Sequence, residues 1–174
     1  MIFKGVKLVA AKKKLISLIE NRPLQRYQIP IKSIGLVIDS KNKKGITDIQ
    51  AIAKKFKISK SNFKIVIVDE TGPSENENQQ INTTWKGVNA KAEIIQEDLK
   101  LFISKEFDLL ITFAEENNVL AHLVAASSKA GIKAGRYLKN QALFDVILQA
   151  EEDAVLFVEE LSKYLKQLKL TADV

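Results

Sequence analysis

The sequence has no cysteine, one histidine and only seven glycines among its 174 residues. Without cysteine there is no disulfide framework and no thiolate chemistry. A zinc site of cysteine and histidine ligands is excluded, because His122 is the single side chain of either type. The glycines are scattered, and they form neither the Gly-x-x-x-x-Gly-Lys-Ser/Thr loop nor the Gly-x-Gly-x-x-Gly turn. Two glycine-rich nucleotide-binding motifs are therefore excluded.

Long apolar runs are missing too. Near the amino terminus the apolar positions are interrupted by Lys12, Lys13 and Lys14, so the unbroken apolar core of a signal peptide is not found. No segment is long and apolar enough to span a bilayer. Together with the lack of cysteine, this favours a reducing compartment, and we expect a cytoplasmic protein. The length suits a single domain over residues 1–174.

Positive charge is concentrated at the amino terminus. Residues 1–26 hold seven basic side chains and one acidic side chain, Glu20, whereas the rest of the chain holds 20 of each sign. The formal net charge of +6 therefore comes from this segment alone. We expect an electrostatic partner to contact this segment first. The candidate contacts are Lys4, Lys7, Lys12, Lys13, Lys14 and Arg22.

The same segment has helical periodicity. The apolar residues near one face of a helix over Phe3 to Ile19 are Ile2, Val6, Val9, Ile16 and Ile19, with Leu15 and Leu18 widening that face. Pro23 marks the end of the helix. One interpretation is a first helix that packs on the sheet through this face and leaves its lysines in water. The other is a basic amphipathic helix that lies on an anionic surface, whether phospholipid, RNA or an acidic protein.

A stretch in the second half of the chain predicts the fold class. Phe107 to Phe113 is an almost wholly apolar run, typical of a strand that is covered on both faces. Asn117 or Asn118 can cap a following helix, and a second strand is expected from Ile132 to Tyr137. Two strands joined by a helix run parallel, with a right-handed crossover.

An earlier stretch repeats this pattern. Ile34 to Asp39 and Phe63 to Val68 are predicted strands, and Thr47 can cap the helix between them, with Gln50 three residues on. We therefore predict a three-layer, Rossmann-like α/β fold. It has a mainly parallel sheet of five or six strands and helices on both faces.

A polar segment follows the second predicted strand. Residues 71–84 contain no basic side chain and little apolar surface, so we predict a mobile surface loop. Trp85 comes directly after it. A lone tryptophan in this position is expected to anchor the loop by burial rather than to stack on a ligand.

In an open parallel sheet, ligands bind beyond the carboxyl ends of the strands. The candidate contacts there are Asp39, Lys41, Lys44, Asp69 and Arg136. If Asp39 and Asp69 lie on adjacent strands, their carboxylates could hold a magnesium ion, and the alternative is that both acids simply end strands. The lysines lie before a capped helix, where an anion could bind.

Residues for catalysis are not brought together by any pattern in the sequence. His122 lies among alanines on a predicted helix, and no serine nucleophile can be argued to face it. A structural or surface histidine is therefore favoured over a general base. We assign no catalytic residue, no metal site and no cofactor.

Part of this pattern resembles a known enzyme fold. Four segments resemble the N-terminal Rossmann-like half of heptosyltransferase-type glycosyltransferases: residues 107–111, the alanine-rich helix of residues 120–129, and the segments from Ala130 to Arg136 and from Leu143 to Val146. The resemblance implies the fold of that half. Those enzymes need a second Rossmann-like domain to bind the nucleotide sugar, so no catalytic residue is carried over.

A closer resemblance covers nearly the whole chain. Five parts of the chain resemble a small uncharacterised bacterial family of single-domain proteins: the basic N-terminal helix, the strand from Ile34 to Asp39, the segment around Trp85, Phe107 to Ile111, and the ending Lys163-Tyr164-Leu165. This resemblance implies a free-standing cytoplasmic protein and supplies no activity.

Three functions remain open at this point. The favoured one is a non-catalytic binding or accessory module that engages an acidic partner through residues 1–26. The second is an enzyme or a binder of nucleotides or nucleotide sugars that uses the carboxyl ends of the strands. The third is association with RNA or the ribosome, suggested by the basicity of the chain, although aromatic rings on which bases could stack are scarce near the lysines.

Overall fold

A computed structural model of the chain describes residues 2–23, 30–70, 80–136 and 142–167. Within these ranges the helices are α1 (Ile2–Glu20), α2 (Ile46–Lys55), α3 (Glu97–Ser104), α4 (Val119–Ser127) and α5 (Ala154–Gln167). The strands are β1 (Ile34–Asp39), β2 (Phe63–Val68), β3 (Gln80–Thr83), β4 (Leu109–Phe113), β5 (Ile132–Gly135) and β6 (Val146–Ile147). Among the described helices, none combines the length and the apolar composition needed to cross a bilayer.

The six strands form one sheet in the order β3-β2-β1-β4-β5-β6, and every neighbouring pair is parallel. All residues of β1 and β4 are buried, because these central strands are covered on both faces. The predicted three-layer, Rossmann-like α/β fold is therefore confirmed, with six strands.

Helices cover both faces of the sheet. Successive residues of a strand point to opposite faces, so Val37 and Ile38 of β1 enter two different cores. The core around Ile38 includes Phe157 and is closed by α2 and α5, which pack against each other. The core around Val37 includes Leu123 and is closed by α3, α4 and α1, and α1 packs chiefly on α4.

The helix predicted within residues 1–26 packs through only part of the face expected. Ala11 and Leu15 are buried, and Leu18 and Ile19 pack partly buried against the core. The prediction was wrong for Val6, Val9 and Ile16, which are each at least half exposed, because apolar side chains occur around much of this helix. The small side chain of Ala11 lets α1 approach α4 closely, which the larger β-branched residues do not allow.

The predicted loop over residues 71–84 is only partly testable. Residues 71–79 lie outside the described residues, and residues 80–84 are not a loop. Gln80 to Thr83 form β3, the edge strand paired with β2, and Thr84 caps a 3-10 turn over Trp85–Gly87. The polar composition of this segment did not indicate a strand, because Ile81 is the one residue of β3 that supplies apolar surface to the core. Trp85 is buried, as expected of an anchor.

Two helix starts lie near the carboxyl ends of the strands. The predicted cap at Thr47 was wrong, because a 3-10 turn over Ser40–Gly45 runs directly into α2 and has Asp39 as its N-cap. The predicted cap at Asn118 is confirmed, since its Oδ1 accepts a hydrogen bond from the Ala121 N–H at 3.0 Å.

Candidate functional site

The strand order reverses between β1 and β4, and in open α/β sheets ligands bind at such a reversal. A crevice of about 130 Å³ lies there. Its lining residues are Asp39, Ser40, Lys41, Val68, Asp69, Glu70, Glu115, Asn117 and Asn118. Pockets for small molecules typically measure roughly 300–1,000 Å³, so this crevice is small for a nucleotide.

The structure brings together three of the five residues predicted at the strand ends. Asp39, Lys41 and Asp69 line the crevice. Asp39 ends β1 and Asp69 follows β2, and these two strands are adjacent as supposed. Lys44 is exposed and is not among the lining residues, and Arg136 is buried at the end of β5. Over the part of the chain that the structure describes, no group of three or more acidic or histidine side chains is arranged to hold a metal ion.

Asp39 is held by the chain itself. Its side chain is 2% exposed. One carboxylate oxygen accepts hydrogen bonds from the backbone N–H of Asn42 at 3.0 Å and from the Asn42 side chain at 2.5 Å. The other accepts from the backbone N–H of Glu115 at 2.5 Å. The carboxylate therefore caps the turn after β1 and ties it to the loop after β4.

Arg136 also serves the scaffold. Its guanidinium lies 4.1 Å from the centre of the Phe113 ring and donates to the backbone carbonyls of Ala114 and Glu151. One terminal nitrogen lies 3.5 Å from a carboxylate oxygen of Glu115. These contacts join the loop after β4 to the turn before α5. A ligand could reach this guanidinium only by displacing them.

His122 is buried on α4, and it does not line the crevice. Its Nδ1 lies 2.7 Å from the Asn118 carbonyl oxygen. Burial lowers the pKa of His122, and the hydrogen bond to Asn118 and the carboxylates of Asp39 and Glu116 only partly oppose this effect. Burial within the packing of α4 therefore favours the neutral form of this imidazole.

The basic residues of α1 divide into two groups. Those on the side that faces the domain donate to its carbonyls: Lys7 to Trp85 at 2.8 Å and Lys14 to Ala92 at 2.9 Å. Lys4, although exposed, lies 3.3 Å from the carbonyl oxygen of Glu70. These contacts use part of the positive charge to fasten the helix.

Arg22 fastens the far end of this segment. Its guanidinium donates to the Leu143 carbonyl at 2.9 Å and forms an ion pair with Asp145 at 2.6 Å. Four of the six basic residues predicted to contact a partner thus donate hydrogen bonds to carbonyls of this same chain. They are Lys4, Lys7, Lys14 and Arg22.

The other side of α1 faces water. We call the exposed residues Phe3, Val6, Val9, Lys12, Lys13 and Ile16 the outer face of α1. Phe3 is 78% exposed, and Val6, Val9 and Ile16 are 50–57% exposed. Sequence periodicity detected this stripe and left two interpretations open, packing on the sheet or contact with an anionic surface. In the structure the stripe is exposed.

A buried amine was missed by the sequence reasoning. Lys133 lies on β5 with 2% exposure, and its Nζ donates to the Ala126 carbonyl at 3.3 Å. The pKa of Lys133 is lowered from 10.5 to about 8, chiefly by burial and in addition by the charge of Arg22, while Asp145 partly opposes the shift. A lysine inside a strand that is covered on both faces was the signal that could have identified it.

A second cavity lies at the opposite end of the sheet. This groove of about 330 Å³ is found between α2 and the first residues of β2 and β3. Its lining includes Lys54, Lys60, Lys64 and Phe63, together with Gln80, whose Oε1 is buried without a hydrogen-bond partner. None of these residues was predicted as a site residue, because the groove lies at the amino ends of the strands.

Replacing Asp39 tests whether its carboxylate is structural. We expect Asp39→Ala to lower the free energy of unfolding by about 2–4 kcal/mol, because three donors lose a charged acceptor. The matched control is Asp48→Ala, an exposed acid in the first turn of α2, which should cost less than about 1 kcal/mol. Urea denaturation measures both. If Asp39→Ala is more stable than the wild type, the carboxylate does not stabilise the fold, and its role is instead to bind a ligand.

Replacing Lys133 tests the buried amine. The unfolded chain holds this proton up to about pH 10.5 and the folded chain only to about pH 8, so between these values the unfolded state binds more protons and stability rises with pH. We expect Lys133→Met to be more stable than the wild type by about 1–3 kcal/mol at pH 7. The difference should shrink from pH 8 to 10.5.

The control for this substitution is Lys129→Met, at an exposed position, whose stability difference should not change over the same pH range. Urea denaturation at several pH values measures both variants. A loss of stability in Lys133→Met at pH 7 would contradict the account of a buried charge.

Comparisons with known proteins agree with the predicted resemblance to an uncharacterised family, and they indicate no activity. No curated protein and no solved structure matches the chain. The resemblance to heptosyltransferase-type glycosyltransferases therefore stays a prediction. Residues 7–168, from α1 to the end of α5, match the model of a family of unknown function, DUF6913. The chain belongs to this family.

Proposed function

We propose that this protein is a non-catalytic binding or accessory module that engages an acidic protein through the outer face of α1. The observation that carries the proposal is the exposure of four large apolar side chains, Phe3, Val6, Val9 and Ile16, along one helix. Contiguous apolar surface on a soluble domain marks an interaction site more often than scattered single residues do.

The charge of α1 supports an acidic partner. Residues 2–19 contain five lysines and no acidic residue. Lys12 and Lys13 are exposed beside the apolar side chains, whereas Lys4, Lys7 and Lys14 contact carbonyls of the domain. We therefore narrow the partner contacts of the proposal to Lys12 and Lys13. A cytoplasmic location is part of the same proposal, suggested by the absence of cysteine.

The other two functions have less support. At the strand ends, Asp39 and Arg136 are occupied by contacts within the chain, and the crevice beside them is small. For RNA, the outer face of α1 offers one aromatic ring, Phe3, whereas proteins that bind single strands usually stack several bases on such rings.

Charge reversal on α1 tests the proposal. Tagged full-length protein is expressed in its native cells, cross-linked and purified, and the recovered proteins are quantified. We expect Lys12→Glu/Lys13→Glu to reduce recovery of an acidic partner at least about tenfold, because like charges then face each other. Thermal unfolding should show that the variant stays folded.

The matched control is Lys54→Glu/Lys55→Glu, which makes the same charge change on α2, on the opposite face of the sheet. This variant should recover the partner as the wild type does. Equal recovery by both double variants would refute the proposal.

A further inference from the structure

Exposed residues on the outer face of α1 follow a heptad spacing, and these residues do not pack against the rest of the described domain. Val6, Val9, Lys13, Ile16 and Glu20 follow one another at steps of three, four, three and four residues. This is the heptad spacing of the two core positions, a and d, in a coiled coil, with Val6 and Lys13 at a and Val9 and Ile16 at d. All five residues are exposed. The stripe that faces α4 contains Ala11 and Leu15, on the other side of the helix.

We propose that this seam pairs with an amphipathic helix of the acidic partner, in a two-stranded, coiled-coil-like contact. The inference rests on the proposed function and specifies how the partner is recognised. Val6, Val9 and Ile16 form the narrow apolar seam of a coiled coil, and a β-branched residue at a, as Val6 is, is typical of two-stranded pairs.

The position of Lys13 argues for a helix rather than a lipid surface. A face that enters a membrane carries its lysines at the polar border, whereas Lys13 lies within the apolar stripe. A single lysine at an a position is tolerated in coiled coils, where it selects the partner at some cost in stability. Lys12 takes the flanking g position, at which a partner's glutamate would meet it.

A second copy of this chain does not fit the seam. Pairing two copies would set Lys12 and Lys13 against a helix that has five lysines and no acid before Glu20. Like charges across such a seam are repulsive and select against self-pairing. The favoured occupant is therefore a helix with apolar residues at a and d and glutamates beside them.

The helix is already presented for such a contact. The bonds from Lys7 to Trp85 and from Lys14 to Ala92 hold its inner side on the domain, and Arg22 fixes its far end on Asp145. A rigid helix loses little conformational entropy on binding, which favours affinity from a short seam.

The test uses the full-length protein and a labelled synthetic peptide of about three heptads, with Leu and Ile at a and d and Glu at e and g. Fluorescence anisotropy measures its binding. A peptide of the same composition with its apolar positions permuted should bind at least about tenfold more weakly. Val9→Glu should weaken binding of the acidic peptide by a similar factor, because it places a charge in the seam.

Lys13→Glu provides a charge exchange that a general loss of folding cannot mimic. This variant should no longer bind the acidic peptide and should instead bind a peptide with Lys in place of Glu. Lys55→Glu on α2 is the control and should bind the acidic peptide as the wild type does. Equal binding of the permuted peptide would overturn the inference and leave only non-specific charge attraction.

Two further outcomes separate this inference from the proposed function. If the acidic peptide does not bind while partner recovery in cells still depends on Lys12 and Lys13, helix pairing is wrong and the proposed function stands. If binding to vesicles of phosphatidylcholine and phosphatidylglycerol depends on Val9, without peptide binding, the surface serves lipid and the inference falls.

Discussion

The buried carboxylate of Asp39 sits at the turning point of the sheet, where a dinucleotide-binding fold of this strand order would leave backbone amides open for a pyrophosphate. Here the backbone amides of Asn42 and Glu115 already donate to that carboxylate. A phosphate group brought to the crevice would meet acidic side chains on several sides. The bond to Glu115 also ties β1 to the loop after β4, so a feature that stabilises the fold uses backbone amides at the place where such folds bind ligands.

Because contacts within the chain already engage Asp39, the proposed binding surface lies elsewhere, on α1. The helix is attached by long-range bonds from its cations to carbonyls on loops far away in sequence, such as Lys14 to Ala92 and Arg22 to Leu143. The side chains that make these bonds are among the basic residues that the sequence predicted as contacts for a partner. What they leave exposed is a seam of valine and isoleucine, with Lys13 within it and Lys12 beside it.

The sequence was sufficient for the fold class, because β1, β2 and β4 are apolar runs that require cover on both faces, and the bounds of β1 and β2 were predicted correctly. It was not sufficient for β3, whose pairing with β2 depends on backbone bonds rather than on apolar content. It also placed Val6 and Val9 on the buried side of α1. A helix with apolar residues on two sides does not reveal by periodicity which side packs, since that depends on the fit of Ala11 against α4 and on the acceptors within reach of Lys7 and Lys14.

The orientation of α1 can be measured directly because the chain has no cysteine of its own. Single substitutions Val9→Cys and Ala11→Cys place one thiol on each side of the helix, and their rates of modification by a water-soluble thiol reagent under native conditions report the exposure of each side. The account predicts that the thiol at position 9 reacts nearly as fast as in the unfolded chain, whereas the thiol at position 11 is protected at least about a hundredfold by native packing. Equal rates, or protection at position 9, would contradict an outward-facing seam.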